Sequence, residues 1–286
     1  MKVTQFLTAL LFLFTTCFNL NAQEKQTLLW KIEGNDIQAS YLYGTIHVLP
    51  QEDFELKEKV KTAFEDSEVL VLELDFDDPT LQLEMMKHVG MKDGQTLDKL
   101  LDKETYQELD SYLKQNVGAG MQAFNNWKPF MLSTLLIGKY IEGQPASFEG
   151  SFTQMAMADG KEILGLESVA EQLAIFDEIP YEEQIGDLEM MLDEEEKVRK
   201  LFQEMILPYK NEDYESLYNM TREYYNNDQT NLDLLLHKRN HNWISKIGEL
   251  AKEKSAFFGV GAAHLGGKEG VINLLKEAGY TLTPLL

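Results

Sequence analysis

The chain has 286 residues, with 26 Lys+Arg against 48 Asp+Glu, a formal net charge of −22 at pH 7 and a single cysteine. That balance repels phosphate backbones and anionic lipid, so no nucleic-acid partner is expected. One thiol excludes an internal disulfide framework and leaves packing to hold the fold, while the acidic excess reads first as a solvated surface.

Met1-Lys2, the apolar run 6–14 and Asn21-Ala22-Gln23 predict a signal peptide over residues 1–22. One domain over residues 23–286 follows, exported to the periplasm or the extracellular space. The apolar run is shorter than the roughly 20 residues a membrane helix needs. No later stretch replaces it, so no transmembrane segment is expected. A lipid anchor at Cys17, behind Phe14-Thr15-Thr16, is the less expected outcome.

The next elements read strand, helix, strand. Residues 40–43 are β-prone and stop at Gly44; Leu56, Val60, Ala63 and Phe64 share one helical face; residues 69–74 are apolar enough for a strand buried on both sides, as in a parallel sheet. This predicts a βαβ-like module. Residues 80–252 predict a mostly helical insertion, with the clearest helices over 97–112, 127–141 and 232–250 and a short buried strand at Glu162-Ile163-Leu164 between two glycines. Near the C-terminus the grammar of the first module returns. A strand over 255–260 leads to His264, then comes a helix bearing Val271, Leu274, Leu275 and Ala278 with Gly279 as its cap, and a closing strand over 280–283. The fold class is therefore α/β (α+β), with a mixed sheet built from both chain ends and both histidines at the carboxyl ends of strands, where open α/β sheets bind ligands.

Gly44-Thr45-Ile46-His47 and Gly261-Ala262-Ala263-His264 each set an imidazole three residues after a glycine, whose missing side chain lets the backbone turn sharply. A lone histidine in such a loop is more often a structural hydrogen-bonding residue; two in matching contexts argue for a shared site. Glu73 lies in an apolar strand, where an ionised carboxylate is costly unless paired or bound to a cation. Asp75 and Asp77 fall on its side of the strand and read as the exit into solvent. His237 and His241 stand four apart, but the Lys-Arg-Asn between them lacks the glutamate of the His-Glu-x-x-His proteases, so they do not read as a metal clamp. His88 reads as a surface residue. Phe124, Trp127, Met190 and Met191 read as core or groove packing.

Tyr43-Gly44-Thr45-Ile46-His47, Leu72-Glu73, Lys128-Pro129, Gly165-Leu166-Glu167, Glu171-Gln172-Leu173, Arg239-Asn240, the run from Gly259 to His264 and Gly279-Tyr280 together resemble the TraB/GumN family, whose eukaryotic relatives include the Tiki proteins. The resemblance spans essentially all of residues 23–286. It implies a fold akin to erythromycin esterases and ChaN-like proteins. Resemblance to Tiki implies a metal-dependent peptidase in which the two histidines and the strand glutamate form the site. The erythromycin esterases imply a histidine base without a metal, and the ChaN-like proteins imply haem binding.

Physically, His47, His264 and Glu73 would make a three-ligand site with an open position, where a divalent ion (Mn, Co or Zn) lowers the pKa of bound water and polarises a carbonyl. Glu167 is then the candidate base, with Glu149 as its alternative because Phe148-Glu149 matches a family acidic position. Arg239 and Asn240 either stabilise a developing oxyanion or bridge the inserted helices to the sheet. The expected function is an exported metal-dependent hydrolase acting on a peptide or small-molecule substrate. The alternatives are a metal-independent hydrolase in which one histidine activates water and Glu73 orients it, and a non-catalytic protein holding a peptide, haem or a signalling molecule. Haem is the less expected cofactor.

Overall fold

A computed structural model describes residues 26–225 and 228–286. The signal peptide expected at residues 1–22, and with it Cys17, lies outside the described residues. Eight strands are present among them: β1 (Leu29–Glu33), β2 (Ser40–Thr45), β3 (Leu49–Pro50), β4 (Val69–Leu72), β5 (Pro145–Ala146), β6 (Glu162–Gly165), β7 (Ala256–Gly261) and β8 (Thr281–Pro284). Six of these form one mixed sheet in the order β6-β4-β7-β2-β1-β8, in which β6, β4, β7 and β2 run parallel and β1 is antiparallel to both its neighbours.

The sheet is assembled from both chain ends, as expected, but the first module is not a closed βαβ unit. β7, from the far end of the chain, lies between β2 and β4. Every residue of β4 is buried, and five of six in β7, because each is flanked on both edges. β1, which the strand signals do not single out, buries Leu29, Trp30 and Ile32 while Lys31 is only half-buried. Phe64, Phe148, Phe152 and Phe257 pack beside the sheet, with the Phe152 and Phe257 rings 4.8 Å apart.

The helical insertion has its own core around Leu97, Leu109, Leu132, Leu136, Tyr140 and Leu188. Phe124 and Trp127 meet edge to face at 4.8 Å, and Met190 and Met191 pack on this core. Three expected helices depart from a regular α-helix over the expected span. The one at 97–112 breaks after Leu97–Leu100 and restarts as Lys103–Asn116, because the Asp102 carboxylate caps the Glu104 and Thr105 amides. The one at 127–141 begins at Pro129, the favoured first helical position, and ends at Leu136. The last is a continuous run with a π turn, Asp233–His237, before Lys238–Glu253. Gly279 does follow the Val271–Glu277 helix with φ +91°, as a cap requires. Lys128, almost fully buried, bridges the insertion internally: its ammonium donates to the His88 and Gly90 carbonyls and pairs with Asp177 at 3.2 Å. Among the described residues no helix is long and apolar enough to cross a membrane.

Candidate active site

β2 and β7 are neighbours whose last paired residues are Thr45 and Gly261, so the two Gly-x-x-His loops leave the sheet side by side. Neither glycine makes the sharp turn expected of it, for neither has a positive φ, and only Gly44 is required by a close approach. A methyl group at Gly44 would lie 2.7 Å from Leu265 Cδ1, 2.9 Å from Leu28 Cδ2 and 3.2 Å from Ala262 Cα, so this glycine lets one loop pack on the other. A methyl group at Gly261 would instead stand 3.4 Å from Glu73 Oε1, 3.5 Å from His264 Cδ2 and 3.6 Å from His47 Nε2. Three of the expected site residues thus face one small space. Gly44→Ala is expected to lower stability by about 1–3 kcal/mol through overpacking, read by denaturant unfolding. Gly261→Ala, in ordinary van der Waals contact, is expected to fold normally yet lose turnover.

His47 turns two opposite edges to different surroundings. Its Nδ1 lies 2.9 Å from Glu149 Oε1, while the side chain as a whole is 66% exposed. Glu149 is the second residue of the helix Phe148–Asp159, which Ser147 caps by accepting from the Gly150 amide. Thr45 Oγ1 donates to Glu149 Oε1 at 2.6 Å and Ser147 Oγ to Oε2 at 3.0 Å, so the carboxylate is held by three groups. The two-residue ladder of β3 on β5 ties the loop after His47 to the segment before Ser147. Burial raises the Glu149 pKa, but the His47 and Thr45 hydrogen bonds outweigh it and leave the net shift downward. Partial desolvation lowers that of His47, but the Glu149 hydrogen bond and charge, with Glu73 beyond, raise it to about 9.

Glu73 sits one residue past the end of β4, which stops at Leu72 and not at residue 74 as expected. Its Oε1 accepts from the Gly261 amide at 2.8 Å and its Oε2 from Arg239 Nη2 at 2.6 Å. Burial opposes its ionisation, but Arg239 outweighs that and holds it well below the usual carboxylate range. Asp75 and Asp77 lie beyond it towards solvent.

His264 is buried with both ring nitrogens engaged. Nδ1 is 2.6 Å from Asn240 Oδ1 and Nε2 is 3.1 Å from Arg239 Nη1. A guanidinium only donates, so Nε2 is the acceptor and the ring proton is on Nδ1, donated to Asn240. Burial, with the Arg239 charge, pushes His264 down to about 3 and keeps it neutral.

Arg239 is the hub. Its Nε donates to Glu167, Nη1 to the Leu235 carbonyl and to His264, and Nη2 to Glu73 and Glu167, which occupies all five N–H groups. Asn240 spends its two N–H groups on the carbonyls of His264 and Glu269. Of the two roles open to this pair, the geometry supports bridging: neither retains a donor for a substrate oxyanion. Glu167, expected as a base, is bonded to Arg239 and to Gln172, and burial moves its pKa upward. His237 and His241 face different partners, Asp233 and Glu269, and His88 is partly exposed beside Glu84.

The arrangement does not fit a three-ligand metal centre. The Nε2 lone pair of His264 points at a guanidinium, whose positive charge stands where a dication would bind, and Glu73 is shared with that same cation. Among the described residues no three His, Cys, Asp or Glu side chains are gathered in ligand range. His47 Nε2 and Glu73 Oε1 are the two groups that face the space before Gly261 with lone pairs to offer.

The model of the TraB/PrgY/gumN family matches residues 28–284. Among curated proteins, the chain is 26% identical to "Metalloprotease TIKI1" of Xenopus tropicalis, over 91% of this chain and 62% of that protein. It is also 26% identical to "Metalloprotease TIKI1" of Danio rerio, over 92% and 64%, and 23% identical to "Metalloprotease TIKI2" of Danio rerio, over 91% and 61%. The chain thus spans about three-fifths of the length of these relatives. No solved structure matches.

Proposed function

Because the chain belongs to the TraB/PrgY/gumN family, we propose that it is a peptidase-like hydrolase, exported through residues 1–22, whose proton-transfer group is His47. The observation that carries this reading is the asymmetry of that imidazole: Nδ1 is clamped by buried Glu149 and the rest of the ring is open, with Nε2 beside Glu73. In the neutral form Nε2 takes a proton from water, and Glu149 fixes the tautomer and stabilises the imidazolium formed. Glu73, held rigid by Arg239 and the Gly261 amide, accepts a hydrogen bond from the same water and orients it. Glu167 and His264, the latter held in turn by Asn240, hold Arg239 and so hold Glu73. The name metalloprotease carried by the relatives supports peptide bonds as the substrate class.

A second reading places a divalent ion (Mn, Co or Zn) in the same space. It is favoured by the convergence of His47 Nε2, His264 Cδ2 and Glu73 Oε1 on Gly261, and it requires Arg239 to leave His264. The test is hydrolysis of a quenched-fluorescent peptide pool by the purified protein, His47→Ala and Glu73→Gln, each with and without a chelator. Turnover that survives chelation and falls about 100-fold or more in His47→Ala is the expected result. Turnover lost on chelation and restored by one added ion establishes the second reading. Identical turnover in wild type and His47→Ala overturns both.

A further inference from the structure

We propose that Tyr209 is a positioning residue for the His47–Glu149 pair, fixing through its hydroxyl the peptide plane from which the His47 loop leaves the sheet. The consequence for turnover rests on His47 being the proton-transfer group, whereas the hold itself is geometric. Tyr209 is buried at the end of the helix Glu195–Lys210. Its hydroxyl donates to the Gly44 carbonyl at 3.1 Å and lies 3.2 Å from the Tyr43 hydroxyl. A carbonyl only accepts, so the one Tyr209 proton goes to Gly44 and Tyr43 donates to the Tyr209 oxygen. Burial, with Tyr43 alongside, raises the Tyr209 pKa well above the ordinary tyrosine value, so the donor keeps its proton.

Gly44 is where such a hold acts. The missing side chain that lets the two loops pack also gives this residue the loosest backbone in β2. Its carbonyl shares a peptide plane with the Thr45 amide; Thr45 Oγ1 donates to Glu149 Oε1, and His47 follows two residues on. The Tyr209 ring meets the other half of the pair, with its centre 5.4 Å from that of Phe148, the residue before Glu149. One side chain thus touches both segments whose side chains meet at 2.9 Å. It is anchored in turn. Glu212, buried and in the left-handed conformation at φ +59°, donates its amide to the Tyr209 carbonyl at 2.9 Å. Its carboxylate pairs with Lys57 at 3.2 Å and with Lys59 at 2.6 Å. Lys59 also donates to the Thr27 hydroxyl and the Leu285 carbonyl, so the helix end that carries Tyr209 is tied to residues near both ends of the described chain.

Tyr209→Phe removes the hydroxyl and keeps the ring. Its kcat for peptide hydrolysis is expected to fall about tenfold or more with KM within about twofold of wild type, the mark of lost alignment and not of lost binding. The substitution also strands the buried Tyr43 hydroxyl, so Tyr43→Phe/Tyr209→Phe, with both partners apolar, is expected to regain most of the unfolding midpoint but none of the kcat. Tyr43→Phe alone, which leaves the bond to Gly44 intact, keeps most of the kcat. Alignment is read without turnover by NMR of the ring tautomers in isotope-labelled histidine protein at pH 10, with His47 assigned by its loss in His47→Ala. The wild type is expected to keep the ring proton on Nδ1, facing Glu149, and Tyr209→Phe to populate both tautomers. Should Tyr209→Phe fail to fold, the double variant carries the same readings. A wild-type tautomer in Tyr209→Phe, an undiminished kcat in it where the wild type hydrolyses, a kcat restored along with stability in the double variant, or an equal loss in Tyr43→Phe overturns the proposal. Mixed tautomers with no hydrolysis by the wild type sink the hydrolase reading alone. Wild-type tautomers with hydrolysis intact sink the positioning role alone.

Discussion

Arg239→Ala is expected to destabilise the protein by about 3–5 kcal/mol, the usual cost of removing one partner from a buried ion pair. The guanidinium, itself mostly buried, holds two buried carboxylates, Glu73 and Glu167, together with the lone pair of His264. Its loss leaves two like charges in one enclosed space. Arg239→Lys restores the charge but only three of the five N–H donors, so a large part of the loss remains. The pH dependence gives the test its sign. In the wild type the Glu73 pKa is depressed, so its contribution is present above the ordinary carboxylate range and is lost only as pH falls below that range towards the depressed value. In Arg239→Ala both carboxyls are expected above their unfolded values, so the variant gains relative stability on acidification. The difference in unfolding free energy between the two proteins therefore shrinks from pH 7 to pH 4.5, measured by denaturant titration. A difference below about 0.5 kcal/mol at pH 7 would show that Arg239 is not the hub.

The same network marks what the sequence discloses and what it withholds. The paired Gly-x-x-His motifs announce themselves because each follows a β-prone run and precedes a helical one, and their meeting needs only that β2 and β7 be neighbours. Glu73 is conspicuous as a carboxylate in an apolar run. Glu149 is different: its contact with His47 joins residues 102 positions apart and depends on a two-residue ladder too short to leave a periodic signal. Only a family resemblance points to it. The saturation of Arg239 is equally hidden, because the carbonyl of Leu235 that it bonds lies within a π turn that helical periodicity does not reveal. The apolar residues of β1 are visible in the sequence, but its partners β2 and β8 are fixed only when the two chain ends come together. The two motif glycines teach the same lesson. Their spacing is legible, but their reason, loop against loop at Gly44 and open space at Gly261, exists only in three dimensions.

The rate of peptide hydrolysis is expected to climb with pH and level off above about 9, the value to which Glu149 raises His47. Below it the imidazole is protonated and Nε2 has no lone pair with which to take a proton from water, so kcat/KM falls about tenfold per pH unit. Glu149→Gln removes the anion, and the midpoint is expected to move down towards the ordinary histidine value of about 6.5. The plateau drops as well, because a glutamine can donate to Nδ1 and stabilise the tautomer whose proton is on Nε2, the wrong edge for a base. Stability follows with a defined sign. A raised histidine pKa contributes stability that is fully present below about 6.5 and is lost as pH rises through about 9, so the stability cost of Glu149→Gln narrows between pH 6 and pH 10. Profiles of kcat/KM over that interval decide the role of the ring. A midpoint unmoved in Glu149→Gln means that the titrating group is not His47, and a rate that falls as pH rises through 9 makes His47 the proton donor to the leaving amine, with Glu73 left to activate the water.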